Sequence, residues 1–201
     1  MKILFLDHDG VICLQKQWGT SALKQEEFIL YSQHKDPDFV INHFYDFPIE
    51  CRFDNFDKDA VTVLNEILTL TGAKIIVTSD WRKNATLDEL GGLYSMHGVS
   101  ECPIGFTPFF ENIEIPIGIV WDFKHIKAQQ RALEISAYIN NHSEITQWVA
   151  VDDYNMDIHY NSSWGLSNFV HAKDQAKGLN EPGLKESILS FLIVEDCSSS
   201  I

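Results

Sequence analysis

Three short segments, far apart in the chain, carry residues whose types and spacing suit phosphate chemistry: Asp7-His8-Asp9-Gly10, Thr78-Ser79 and Asp152-Asp153. In the first, the apolar run Ile3-Leu4-Phe5-Leu6 ends in two carboxylates one residue apart, followed by a chain-turning Gly10. Asp is a poor strand residue and costly to bury unpaired, so such a pair points to a metal or phosphate site. An acidic turn that caps a helix is the competing reading. In the second segment an apolar run delivers two hydroxyls, and in the third it delivers two more carboxylates. A hard divalent cation such as Mg²⁺ takes oxygen ligands. Carboxylates from two strands, with the backbone carbonyl at Asp9, could supply part of an octahedron that waters and phosphate complete. Four carboxylates in one crevice repel one another and an incoming phosphate, so a cation is needed to neutralise both.

The elements that would bring these segments together can be read from the apolar pattern. Residues 3–6 form a short uninterrupted apolar run, and 73–77 and 147–151 are mostly apolar segments of the same length, as expected for central parallel strands covered on both faces. Between them, Val61, Leu64, Ile67 and Leu68 recur at helical spacing; Asp57 and Asp59 favour that helix's N-terminus, and Thr71-Gly72 ends it. Further helices are expected over 86–97, stopping at Gly98, and over 125–140. A weak strand over 103–106 and an irregular loop over 107–121 separate them. The tail suggests a short strand near Phe169-Val170, a helix over 184–192 and a frayed polar end at Cys197-Ser198-Ser199-Ser200. Strands alternating with helices imply an α/β fold with a doubly wound parallel sheet, whose site lies outside the carboxyl ends of the strands at the switch point.

Residues 12–56 lack this rhythm. A helix over 21–33 with Ser21 as N-cap is expected, then turns at Asp36-Pro37-Asp38 and Phe47-Pro48. We read 13–56 as a lid or insertion within a single domain spanning 1–195. Its many aromatics suit the core of a small insertion better than a stack on a planar substrate.

The chain has 201 residues, 45% of them hydrophobic and 22% charged, enough for one domain with a large core. No apolar run approaches the roughly 20 residues of a spanning helix. Met1-Lys2 leads directly into residues the fold needs rather than into a secretory signal, so a cytoplasmic protein with no membrane partner is expected. The four cysteines show no paired metal spacing and read as reduced thiols, Cys13 as a small buried apolar residue. A net charge of −14 opposes non-specific binding to nucleic acid, although a local basic pocket can still capture one phosphate. Gly91-Gly92 lies in a helical pattern, so no glycine-rich nucleotide fingerprint is present.

In this order the segments resemble the haloacid dehalogenase (HAD) superfamily of phosphohydrolases, over most of the chain. The resemblance implies a Rossmann-like HAD fold. It makes Asp7 the nucleophile and metal ligand, Asp9 the general acid and base, and Thr78 or Ser79 the hydroxyl on the phosphoryl oxygen. Asp152 and Asp153 match the acidic motif that binds Mg²⁺, with Asp157 a further acidic candidate. The family's basic residue could be Arg131, Lys127 or Lys124. Arg131 is chosen because Arg131-Ala132-Leu133-Glu134-Ile135, with Ser79-Asp80-Trp81-Arg82, resembles the branch found in RNA-repair ("Swiss Army Knife") proteins. A solvated helix charge is the bland alternative for Arg131. Gly10, Arg82 and Lys127 are candidates for contacts to phosphate or substrate, although Arg82 could equally form a structural ion pair.

The implied reaction is in-line attack by Asp7 on a phosphate monoester, giving an aspartyl-phosphate that water hydrolyses. Asp9 would protonate the leaving oxygen and then deprotonate the water. Mg²⁺, Arg131 and a hydroxyl would stabilise the phosphoryl charge. Strand alternation turns His8 away from Asp7 and Asp9, towards a packing role. The expected substrate is a phosphorylated small molecule, a nucleotide or a nucleic-acid end. A phosphotransferase or mutase of the same fold, or a phosphate-binding module without turnover, are the rival readings.

Overall fold

Alternate residues of each central strand leave the sheet on opposite sides, and helices cover both. In the computed structural model, which describes residues 1–160 and 162–193, five strands pair in parallel in the order β3-β2-β1-β4-β5. They are β1 (Lys2–Leu6), β2 (Lys74–Val77), β3 (Gly105–Phe106), β4 (Gln147–Asp152) and β5 (Phe169–His171). Leu4, Leu6, Ile75, Val77, Val149 and Val151 enter one core with residues of α3 (Lys58–Thr71), α4 (Leu87–Met96) and α6 (Leu184–Leu192). Ile3, Phe5, Ile76 and Ala150 enter the other, against Ala128, Ala132 and Ile135 of α5 (Ile126–Asn140) and Met156, Trp164 and Leu166. Phe5 is fixed there by edge-on contacts with Tyr138 and Trp148. Each fully buried aliphatic or aromatic side chain contributes about 1.5–3 kcal/mol, which is why the buried middle positions of these strands are apolar.

Local chemistry sets the helix limits near the expected ones. Asp57 caps α3 by accepting from the Asp59 and Ala60 amides at 3.1 and 3.0 Å, and Gly72 ends it in the left-handed region at φ 66°. Thr86 and Glu89 form a reciprocal capping box at the start of α4. The expected strand over 103–106 shrinks to Gly105–Phe106, since Pro103 has no amide to donate. The loop beyond it holds one short helical turn, Phe110–Asn112.

One expectation is corrected. The helix after β1, α1 (Thr20–Lys35), starts before Ser21, which lies inside its first turn rather than at the cap. The amides of Gly19 and Ser21 donate instead to the Asp54 carboxylate at 3.1 and 2.7 Å. A capping oxygen 33 positions away does the work a local Ser was expected to do. α1 has no buried residue. It is tied to the segment after α2 (Ile49–Arg52) by polar contacts, with Lys24 donating to the Phe53 carbonyl at 2.7 Å and to Asn55 at 3.0 Å. The polar end at Cys197–Ser200 lies outside the described residues. Among these, no helix is long and apolar enough to cross a membrane.

Candidate active site

The two-residue alternation that fills the cores continues past the strand ends and sorts the polar residues. Asp7 follows Ile3 and Phe5 to the α5 side, Asp152 follows Ala150, and Thr78 follows Ile76. Backbone bonds hold the three ends level: the Asp7 amide donates to the Val151 carbonyl at 3.1 Å and the Thr78 amide to the Leu6 carbonyl at 3.0 Å. The result is a crevice between β1 and β4, where the strand order reverses.

Asp7, Asp152 and Asp153 each place a carboxylate oxygen within 4.8 Å of the others. Arg131, on α5, donates through Nη1 to Asp7 Oδ1 at 2.7 Å and Asp152 Oδ2 at 2.8 Å. Burial pushes Asp7 up from 3.8 to about 7, with Arg131 opposing and the Asp152 charge adding. Burial likewise raises Asp152 to about 6 against the pull of Arg131, and it raises Asp153, to which the Asp7 charge adds. Burial works against the Arg131 charge too, but Asp152 and Asp7 more than compensate and keep it protonated. Three hard oxygen donors that resist ionisation together are a donor set suited to a divalent cation. Beside them Thr78 Oγ1 is buried without a hydrogen-bond partner among the described residues, a group that a phosphoryl oxygen would satisfy.

The turn after β1 is tight: the His8 carbonyl accepts from Val11, Ile12 and Cys13 at 3.1, 3.0 and 2.8 Å. Gly10 takes φ 74° there, and a Cβ on it would meet Asp153 Cβ at 3.0 Å. Asp153 can approach β1 only because Gly10 has no side chain. Gln175 Nε2 then donates to the Asp153 carboxylate at 2.6 Å.

Asp9 lies outside the group of three. Its Oδ2 accepts from the Trp81 indole at 2.9 Å. Burial raises Asp9 to about 6, the Asp7 charge adds, and the indole bond opposes. His8 faces the other core, with Nε2 2.8 Å from the Tyr94 hydroxyl. Burial, with the Arg131 and Arg82 charges adding, lowers it to about 3, so it packs there as neutral imidazole. Cys13 is buried, and burial pushes its thiol well above the ordinary value, which suits packing rather than nucleophilic chemistry.

Among the basic candidates, Arg131 alone reaches Asp7 and Asp152. Lys127 is exposed and lines an adjoining cleft with Arg131, Asp80, Lys83, Gln130 and Tyr154. Lys124 is exposed on the turn before α5. Both terminal nitrogens of Arg82 are held by structural partners: Nη1 donates to the Thr78 carbonyl and, at 2.9 Å, to the Ser79 carbonyl, while Nη2 meets Glu134 Oε2 at 2.5 Å. Glu134 Oε1 also accepts from the Phe110 amide at 2.8 Å. Ser79 Oγ accepts weakly from the Trp81 amide at 3.4 Å. Asp157 accepts from the His159 amide at 2.8 Å and is not one of the three clustered carboxylates. Two contacts had no signal in the sequence: Gln175 on Asp153, and the Trp81 indole on Asp9 across 72 positions. Trp81 was visible only as part of a short motif.

A parallel Rossmann-like sheet with an acidic crevice at its switch point, one basic side chain bridging the carboxylates, defines the class of HAD-fold proteins. The chain belongs to the family described as the HAD domain in Swiss Army Knife RNA repair proteins, whose model matches residues 3–184. That membership puts it in a superfamily of phosphohydrolases and phosphotransferases. No curated protein and no solved structure matches the chain.

Proposed function

We propose that this protein is a Mg²⁺-dependent phosphatase that hydrolyses a phosphate monoester through an aspartyl-phosphate on Asp7. The observation that carries the reading is the convergence of Asp7, Asp152 and Asp153 within 4.8 Å, bridged by Arg131. Asp7, Asp152 and Asp153 would hold the cation, with the Asp9 carbonyl as a further ligand. When bound, Mg²⁺ supplies positive charge that neutralises the carboxylates and the phosphoryl oxygens.

Asp7 forms a bond to phosphorus while the bond to the leaving oxygen breaks, and Asp9 gives that oxygen its proton. Water then attacks phosphorus, Asp9 takes its proton back, and Asp7 is released with inorganic phosphate. Arg131 orients Asp7 and meets the phosphoryl charge, and the unpartnered Thr78 hydroxyl donates to a phosphoryl oxygen. Ser79 supports the same turn. Gly10 lets Asp153 sit close against the turn after β1, and Lys127 faces the part of the substrate beyond the reacting phosphate. Residues 13–56 act as the insertion that shapes access. The family description favours a nucleotide or nucleic-acid end as substrate.

The test is phosphate release from mononucleotides, sugar phosphates and 3′-phosphorylated oligonucleotides, with Mg²⁺ and with EDTA. Asp7→Asn is expected to fold normally and to retain less than about a thousandth of the activity. Equal rates with and without the metal, or an active Asp7→Asn, would overturn the mechanism. Transfer of phosphate to an added alcohol would identify a phosphotransferase instead.

A further inference from the structure

We infer that Trp81 is a positioning residue that holds Asp9 in the orientation needed to protonate the leaving group. This rests on the phosphatase reading. The indole N–H lies 2.9 Å from Asp9 Oδ2. Indole nitrogen donates and cannot accept, so it carries no proton for the reaction; it fixes the direction of the carboxylate through Oδ2.

The indole is itself held by three rings. Phe53 stacks on it with centroids 4.6 Å apart at 17°, Phe56 lies 5.7 Å away at 24°, and His8 meets it edge-on at 4.6 Å. Its backbone belongs to the helical turn Asp80–Lys83. Arg82 anchors that turn to Glu134 on α5. The ring therefore has almost no freedom, and Asp9 inherits its direction from a frame built by β2, α5 and residues 53–56. A free Asp side chain would spread over several rotamers, and a general acid must sit within hydrogen-bond reach of the departing oxygen.

The consequence depends on the leaving group. In the first step Asp7 bonds to phosphorus, and the electron pair of the broken P–O bond goes to the leaving oxygen. An alkoxide needs the Asp9 proton at that moment; 2,4-dinitrophenolate leaves as a stable anion without it. The value of kcat/KM reports only steps through this departure, so later hydrolysis of the aspartyl-phosphate does not enter.

The experiment compares kcat/KM of wild type and Trp81→Phe for a nucleoside monophosphate and for 2,4-dinitrophenyl phosphate. Phenylalanine keeps the stack on Phe53 and removes the donor. The expected result is a loss of at least about tenfold on the alkyl ester and less than about threefold on the aryl ester. A second variant carries benzothienylalanine at position 81, which keeps the shape of the bicycle with sulfur in place of N–H, and should show the same selective loss even if Trp81→Phe folds poorly. Equal losses on both esters, or none, would overturn the role of Trp81 while leaving the phosphatase reading standing. A wild-type protein that releases phosphate from neither ester nor from a 3′-phosphorylated oligonucleotide would overturn both.

Discussion

Asp7 is a carboxyl whose surroundings oppose its ionisation, and that has a measurable consequence for the metal-free protein. Burial raises it to about 7 from an ordinary 3.8, so in the folded chain it keeps its proton where the unfolded chain has lost it. Below about pH 4 the group is neutral in both states and costs nothing. As pH rises towards 7 the unfolded state loses its proton first and gains the advantage, so the stability associated with Asp7 falls across that window. Asp9 and Asp152, each raised to about 6, act in the same direction. Thermal unfolding midpoints in EDTA should therefore fall more steeply from pH 4 to pH 7 in wild type than in Asp7→Asn. Added Mg²⁺ should raise the wild-type midpoint at pH 7 and that of Asp7→Asn much less. Gly10 is the other residue with a sharp expectation. With φ at 74° and Asp153 Cβ 3.0 Å from any added Cβ, Gly10→Ala should cost about 1–3 kcal/mol in denaturant unfolding and weaken Mg²⁺ binding by displacing Asp153.

The turn after β2 is tied to α5 by one buried ion pair. Arg82 and Glu134 are each at most 8% exposed in their side chains, and Glu134 also receives the Phe110 amide. Glu134→Ala would leave the guanidinium buried without its carboxylate, an arrangement that costs about 3–5 kcal/mol. The loss should appear in the urea midpoint, and catalysis should suffer with it because Thr78, Ser79 and Trp81 all stand on that turn. α1 is the opposite case. It has no fully buried residue and depends on Asp54 for its N-terminal amides. Asp54→Ala should remove about 1–2 kcal/mol from the docking of α1, seen as faster amide hydrogen exchange in residues 20–35 with little change in β1 or β4. Both contacts join segments far apart in the chain, and neither could be inferred from residue spacing. Ser21 was the natural local cap, and Arg82 and Arg131 are chemically the same residue until packing gives one a carboxylate on α5 and the other two carboxylates on the sheet.

For the molecule as a whole, charge makes a prediction of its own. A net charge of −14 repels a polyanion at long range, so kcat/KM for a terminally phosphorylated oligonucleotide should rise between about 50 and about 200 mM salt as screening relieves the repulsion. A basic nucleic-acid enzyme shows the reverse. A fall with salt would mean that Lys83 and Lys127 in the cleft dominate recognition. What the sequence by itself determined was the α/β sheet and which segments stand at its strand ends. Apolar runs of strand length cannot hold charge, so Asp7, Thr78 and Asp152 had to lie where the runs stop, and the two-residue period had already turned His8 away from its neighbours. Only the tertiary structure decided what those residues touch: Arg131 across Asp7 and Asp152, Gly10 beneath Asp153, and Trp81 on Asp9. Strand and helix patterns are short-range properties of the chain, read from hydrophobic period. A hydrogen bond across 72 positions exists only after both cores have packed and set the distance.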